Sequence, residues 1–500
     1  MLFASPGFLL FVVCVWLVHA LTPRALRWIV LLAASAAFYA FCGFFAAVWL
    51  VFCTVITYAG ALLLHKQEPG KKKKATLAVV LLMVFGLLSI FKFAGFAAQL
   101  LPSILGRFSG GLLLPLGISF YIFQSAGYLI DVYRGKHEPQ RNIAKYALFV
   151  SFFPQIVQGP IGRYDSLSPQ LLAGERPTAD SYRNGIQLIM WGLFKKLILA
   201  DRAAVLVSSV FSDPSAHGGV VSVAAAALYC VQLYCDFSGG IDITRGVAEG
   251  LGISLDQNFA QPFFAISVQD FWRRWHITLG SWMRDYVFYP LSLSQLFGRF
   301  GRSMRKVFGT RIGKLIPTLL ASFIVFFVIG IWHGGSWKYI IFGFWNGMLI
   351  TGAMLAKPLF EGARNALRIK EDGKLLYVIR LLRTLIIIGA GRILTRSDNV
   401  TGALIMFKKI FTSPKTSEVA AGAFTKLGLT NEDYIVMAAA FAVLIICDIM
   451  EERGLKARSF IERRHPALQV LLMVAAIAVL LYYGAFSRGY ISAQFIYGAV

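Results

Sequence analysis

The chain has 500 residues, 57% of them hydrophobic and 15% charged, with a mean hydropathy of +0.66. A soluble protein of this length needs far more charge to cover its surface, so the composition excludes the soluble globular classes and points to an integral membrane protein. The formal net charge of +24 would suggest nucleic acid in a soluble chain; here the basic residues cluster between apolar runs, as topology anchors at an anionic inner leaflet do, and no nucleic-acid partner is expected.

Residues Met1 to Phe11 lack the basic stretch of a signal peptide and no small-residue cleavage site follows, so the first span, near 7–22, is expected to stay in place. Further spans are predicted near 26–43, 45–64, 75–97 and 112–131. The last of these, in PLGISFYIFQSAGYLIDVYRG (115–135), sets Tyr121, Gln124 and Tyr128 at i, i+3 and i+7, a polar stripe of the kind that faces a protein interior. Residues 146–164 are apolar but carry Pro154, Gln155, Gln158, Gly159 and Pro160, which break a helix and leave backbone groups in need of partners, so a re-entrant segment is predicted there.

Spans near 186–210 and 220–238 follow. At the end of the second, in QLYCDFSGGIDITRG (232–246), Asp236 and Asp242 flank a predicted glycine-rich turn. A carboxylate there either orients a histidine or an acceptor sugar, or does ordinary cap and turn work. Residues 239–314 form the longest connection, rich in arginine and carrying Trp272, Trp275, His276 and Trp282, and read as amphipathic and partly buried. Within QDFWRRWH (269–276), helical spacing puts Trp272 and His276 one turn apart on a shared face, with Arg273 and Arg274 projecting elsewhere. That arginine pair either binds the phosphates of a nucleotide-bearing donor or anchors the segment at the membrane surface.

Spans near 315–332, 338–356, 376–394, 434–450 and 466–486 complete about twelve crossings in one membrane domain with no internal repeat. The basic clusters at Arg24 and Arg27, Lys66 and Lys71 to Lys74, Arg134 to Lys145, Arg273 to Lys314, Lys357 to Lys374 and Arg453 to Arg464 all fall on one side of the membrane if the N-terminus lies outside. The six cysteines, mostly within apolar stretches and without a C-x-x-C pair, predict neither a zinc site nor a disulfide framework, and no metal is expected.

His333 lies in FVIGIWHGGSWKYIIFGFWNG, between two apolar spans and before two glycines. An imidazole in the membrane layer is costly without a partner or a wet cavity, which marks it as functional, with Gly334 and Gly335 allowing close approach of a substrate. An interfacial histidine capping a helix end is the competing reading.

Five blocks occur in order: PLGISFYIFQ (115–124), FFPQIVQGPIGR (152–163), YCDFSGGIDITRG (234–246), QNFAQPFFAISVQDFWRRWHITLGSWMRDYVFYPL (257–291) and IWHGGSWKYIIFGFWNG (331–347). In these the chain resembles the membrane-bound O-acyltransferase (MBOAT) family, and within it the bacterial alginate O-acetylation branch. The resemblance implies an all-α integral membrane fold: a ring of about 11–12 tilted helices with re-entrant segments around a central funnel open to both sides. It implies one domain over 1–500, with a core at about 112–356 and peripheral spans at 1–100 and 376–500. It also implies His333 as the catalytic residue and His276 beside it. Where a family histidine is expected before the glycine of the second span, this chain has Asn346-Gly347, and Asn346 both donates and accepts hydrogen bonds.

The reaction implied is transfer of an acyl group, in the first instance acetyl from acetyl-CoA, to hydroxyls of an extracytoplasmic polysaccharide or peptidoglycan, with no bound cofactor. His333 would act as general base; His276, Asn346, Asp236, Tyr121 and Gln124 would position the acceptor or the developing oxyanion; Arg273 and Arg274 would bind donor phosphate. An extracytoplasmic SGNH-type acetyltransferase is the partner implied, in a bacterial cytoplasmic membrane. D-alanyl transfer toward teichoic acid is the near alternative. A transporter or flippase without chemistry is the distant one, and the inverted repeats and mid-span charges it would need are weak here.

Overall fold

The computed structural model describes residues 5–106, 112, 114–156, 158–420, 422–455 and 457–484. The last residues of the span expected at 466–486 therefore lie outside the described part. Among the described residues the fold is α-helical, and the one strand-like feature is an antiparallel bridge between Phe259 and Trp275.

Eight described helices are long and apolar enough to cross a membrane: Arg24–Cys42, Phe44–Lys66, Lys71–Leu100, Gly219–Glu249, Gln295–His333, Trp337–Ala366, Asn431–Glu452 and Pro466–Tyr483. The other expected spans are helices too, but shorter or more polar. Pro6–Leu21 and Ile118–Tyr133 have 16 residues each, short of the roughly 20 that cover a hydrocarbon core. Ala179–Leu193 passes through the π-helical turn Phe194–Ala200 into Asp201–Ser212, and Lys374–Arg396 carries four arginines.

The chain divides into two compact units. The first comprises Met1–Ile198, Tyr234–Gln257 and Val470–Val500. Two of its helices meet through glycines seven residues apart on each. A Cβ on Gly185 would stand 2.5 Å from the Gly246 carbonyl oxygen, and one on Gly192 would stand 2.4 Å from that of Gly239. Only glycine allows that approach, by which membrane helices gain close backbone packing. This corrects the turn expected between Asp236 and Asp242. Residues 232–246 lie within the continuous helix Gly219–Glu249, because the glycines there serve a helix contact and not a reversal of the chain.

The segment 146–164 breaks where the prolines and glycines predict, into Ile143–Ser151, the single turn Phe153–Ile156 and an irregular stretch leading to Tyr164–Ala173. Its backbone is buried and answered internally: the Gln155 amide donates to the Pro160 carbonyl, and the Phe153 N–H donates to Ser35 Oγ at 3.1 Å. That is how non-helical backbone survives in an apolar layer.

The second unit comprises Leu199–Leu233 and Asn258–Gln469. Its central feature is a hairpin of helices α1 (Gln295–His333) and α2 (Trp337–Ala366). Gly309, at φ 74°, ψ 174°, interrupts α1 and separates its basic first part from the apolar run that ends on His333. Near the tip, a Cβ on Gly330 would lie 2.5 Å from the Cα of Gly343, so the two helices touch backbone to backbone just below His333.

Candidate active site

His333 owes its position to the residues that end α1. The next residue, Gly334, takes φ 151°, which side chains disfavour, and a Cβ on it would press the Tyr339 ring at 3.2 Å. Glycine thus lets α1 stop and α2 begin three residues later, and it brings Tyr339 back over the imidazole. The two rings stack with centroids 5.9 Å apart; Trp332 lies at 4.8 Å from the His333 ring and Phe342 at 6.2 Å. His333 is half-buried within this aromatic box.

His276 reaches the same box by another route. The helix expected to carry both Trp272 and His276 ends earlier: Val268–Arg274 is helical, Trp275 is extended, and His276 adopts φ 50°, ψ 54° before Ile277–Met283 begins. The cause is pairing with the preceding chain. The Ala260 N–H donates to the Arg274 carbonyl and the Ile277 N–H to the Asn258 carbonyl, both at 3.0 Å, and this pulls 274–277 out of helical form. A non-glycine residue held in the left-handed region is strained, and such strain gathers at functional sites.

The turn nonetheless delivers both side chains. The His276 ring lies 6.2 Å from Trp332, which separates it from His333. Trp272 Nε1 donates to Asn346 Oδ1 at 3.0 Å, and Asn346 Nδ2 donates to the Phe342 carbonyl at 2.9 Å, so the Asn346 amide is oriented at both ends. His276, His333, Trp272 and Asn346 are therefore joined through Trp332 and Phe342.

Asn258 was not singled out in the sequence, although it lies in the QNF block that carried the family resemblance. It is fully buried, and its Oδ1 accepts from the Thr278 N–H at 3.0 Å, from Thr278 Oγ1 at 3.0 Å and from His276 Nδ1 at 3.3 Å. A backbone N–H only donates, so the acceptor is the amide oxygen, and His276 must carry its proton on Nδ1. The lone pair is left on Nε2. Burial pushes the His276 pKa down to about 3, which keeps the ring neutral throughout the physiological range.

The remaining sequence candidates fall in two places. Arg274 is in the second unit and is bound to carboxylates, to Glu452 by two bonds of 2.6 and 3.1 Å and to Asp270 at 3.3 Å, whereas Arg273 is exposed. Tyr121, Gln124 and Asp236 belong to the first unit. Gln124 donates to the Phe149 carbonyl at 2.5 Å, and Tyr121 is fully buried with no partner for its hydroxyl among the described residues. Asp236 accepts from Lys196 at 2.7 Å, and the neighbouring Lys195 pairs with Asp242 at 2.5 Å and Ser238 at 2.9 Å. The π-helical turn carries both lysines, widening the helix at a site of polar contact.

The sequence profile described as MBOAT, membrane-bound O-acyltransferase family, matches residues 34–379. The chain is 31% identical over 466 residues to the probable alginate O-acetylase AlgI of Azotobacter vinelandii, covering 90% of this chain and 85% of that protein. It is 32% identical over 379 residues to the peptidoglycan O-acetyltransferase of Helicobacter pylori, covering 70% and 68%. With the teichoic acid D-alanyltransferase of Bacillus subtilis it shares 30% identity over 245 residues, 47% of this chain and 58% of that protein.

Proposed function

Since the chain belongs to the membrane-bound O-acyltransferase family, and is thus a multi-pass membrane acyltransferase of the kind that draws on acyl thioesters, we propose that it passes acetyl from cytoplasmic acetyl-CoA to hydroxyls of a polysaccharide outside the membrane. The observation that carries this reading is the similarity to the Azotobacter alginate O-acetylase over 90% of the chain. D-alanyl transfer has less support, as the Bacillus relative matches under half of it. In the proposed arrangement a single domain forms a ring of helices around a funnel open to both sides, with the N-terminus outside and an SGNH-type acetyltransferase receiving or delivering the acyl group beyond the membrane.

The residues have the following roles. His333 accepts the proton of the acceptor hydroxyl as its oxygen attacks the thioester carbonyl. When the tetrahedral intermediate collapses, the C–S bond breaks and the proton passes from the imidazolium to the departing thiolate. Such base catalysis supplies about 10²–10⁴-fold. His276, neutral and with its tautomer set, offers Nε2 as an acceptor that positions the sugar through a second hydroxyl, next to the attacking one. Asn346 keeps a second Nδ2–H for the developing oxyanion. Tyr121, Gln124 and Asp236 serve on the acceptor path, and Arg273 with Arg274 on the phosphate side of the donor.

The test is acetyl transfer from labelled acetyl-CoA by reconstituted protein, comparing wild type with His333→Ala. Label should move to an oligosaccharide acceptor, and the variant should lose about 10²-fold or more in rate while still inserting and folding. A stable His333→Ala protein with wild-type turnover would remove His333 from the mechanism.

A further inference from the structure

Arg392 lies in the helix Lys374–Arg396 with only 5% of its surface exposed. Guanidinium does not shed its charge at accessible pH, so burial must be answered by contacts. Three aromatic rings answer part of it: the guanidinium carbon is 4.7 Å from the centre of Trp275, 5.9 Å from Phe342 and 6.0 Å from Phe271. Cation–π contact occupies the faces of the planar group. Its N–H donors point along the edge, in the plane, and stacking leaves them unused.

Those donors find no partner among the described residues: Nη2 is buried with no hydrogen-bond partner, and Arg392 makes no ion pair. Other buried cations among the described residues are met by polar partners, Lys196 by Asp236 at 2.7 Å, Arg202 by Asp433 at 3.2 Å and Arg27 by the Gly174 carbonyl at 2.8 Å. Arg392 departs from that pattern at the aromatic cluster of the histidines, since Phe342 also contacts His333 and Trp275 directly precedes His276. An unpaired guanidinium fork in a dry aromatic setting is built for a planar or tetrahedral oxyanion, bound bidentately.

We propose that Arg392 is an anion-binding residue of the acyl-transfer site and takes an oxyanionic group of a substrate, either a phosphate of the thioester donor or a carboxylate of an acidic polysaccharide acceptor. The assignment rests on the acyl-transfer reading above and adds to it a recognition element in neither arginine pair nor histidine. Arg392→Lys keeps the charge over the aromatic faces but loses the fork, and Arg392→Gln loses both.

Binding is measured by calorimetry on the full-length protein in detergent, with free CoA as one probe and a short oligouronate as the other. A neutral oligosaccharide of the same length is the control. One of the two anionic probes should bind about tenfold or more weakly to Arg392→Lys than to wild type, as loss of a charge-assisted fork requires, while the other probe and the neutral control are unaffected. Weakened CoA identifies the donor phosphate, and weakened oligouronate identifies the acceptor carboxylate. If Arg392→Gln does not fold, Arg392→Lys carries the test alone. Wild-type affinity of both variants, or of Arg392→Lys where only it folds, for both probes would overturn the assignment. Failure of the acyl-transfer reading would look different: the wild type itself would neither bind CoA nor consume acetyl-CoA.

Discussion

One amide decides the protonation of one imidazole. Asn258 Oδ1 holds the proton of His276 on Nδ1, and burial lowers the histidine pKa from its ordinary 6.5 to about 3. The folded pKa is the lower of the two, so as pH falls the unfolded chain takes up the proton first. The stability tied to this group is intact above about pH 6.5 and is lost progressively between there and about pH 3. Thermal unfolding in detergent should show that decline, and His276→Gln should flatten it. Asn258→Asp places a carboxylate against Nδ1, which raises the histidine pKa. The pH–rate profile of acetyl transfer should then gain a second ionisation on its acid limb, added to that of the His333 base and making the limb steeper; identical profiles would detach Asn258 from catalysis.

At the scale of elements, glycines were the most informative residues and also the most easily misread. In IWHGGSW they mark the end of one helix and the start of the next, and the hairpin that carries His333 was legible from them. In CDFSGGID the same residue type reads as a turn, yet Gly239 is pressed against Gly192 inside a helix pair. Nothing local separates the two cases, because the second depends on a helix more than forty residues away. The break at Trp275 was hidden for the same reason: QDFWRRWH contains no breaker, and the pairing with 258–260 that extends it comes from a distant stretch. Arg392 was visible as a charge in an apolar run, but its neighbours Arg380, Arg383 and Arg396 made it look ordinary. The helix contact itself is testable. Gly192→Val should destabilise the protein by about 1–3 kcal/mol through overpacking, read as a lower unfolding temperature. Gly86→Val, at a position with open space around the glycine, should change it little.

Over the whole molecule, charge placement follows the membrane more than local helix chemistry. Lys71 to Lys74 open the helix Lys71–Leu100, where cations oppose the helix dipole; under the proposed orientation an anionic leaflet accounts for their position. A cysteine in place of Lys72, in a background cleared of the six native cysteines, should resist an impermeant maleimide in intact cells and react after permeabilisation. Labelling in intact cells would reverse the proposed orientation. With that orientation, the aromatic box around His333 has an electrical consequence. The hydroxyl proton enters the imidazole from the acceptor side and leaves on a thiol made on the donor side, while the acyl carbon crosses the other way as an acylium equivalent, leaving the C–S electrons on sulfur. The neutral thioester and hydroxyl become a neutral thiol and ester on their own sides, so each turnover moves no net charge, and a membrane potential neither drives nor opposes the transfer. In sealed vesicles a potassium gradient with valinomycin, of either sign, should therefore leave the rate of acetyl transfer unchanged; acceleration with the donor side negative would mean that a further charge crosses in each turnover.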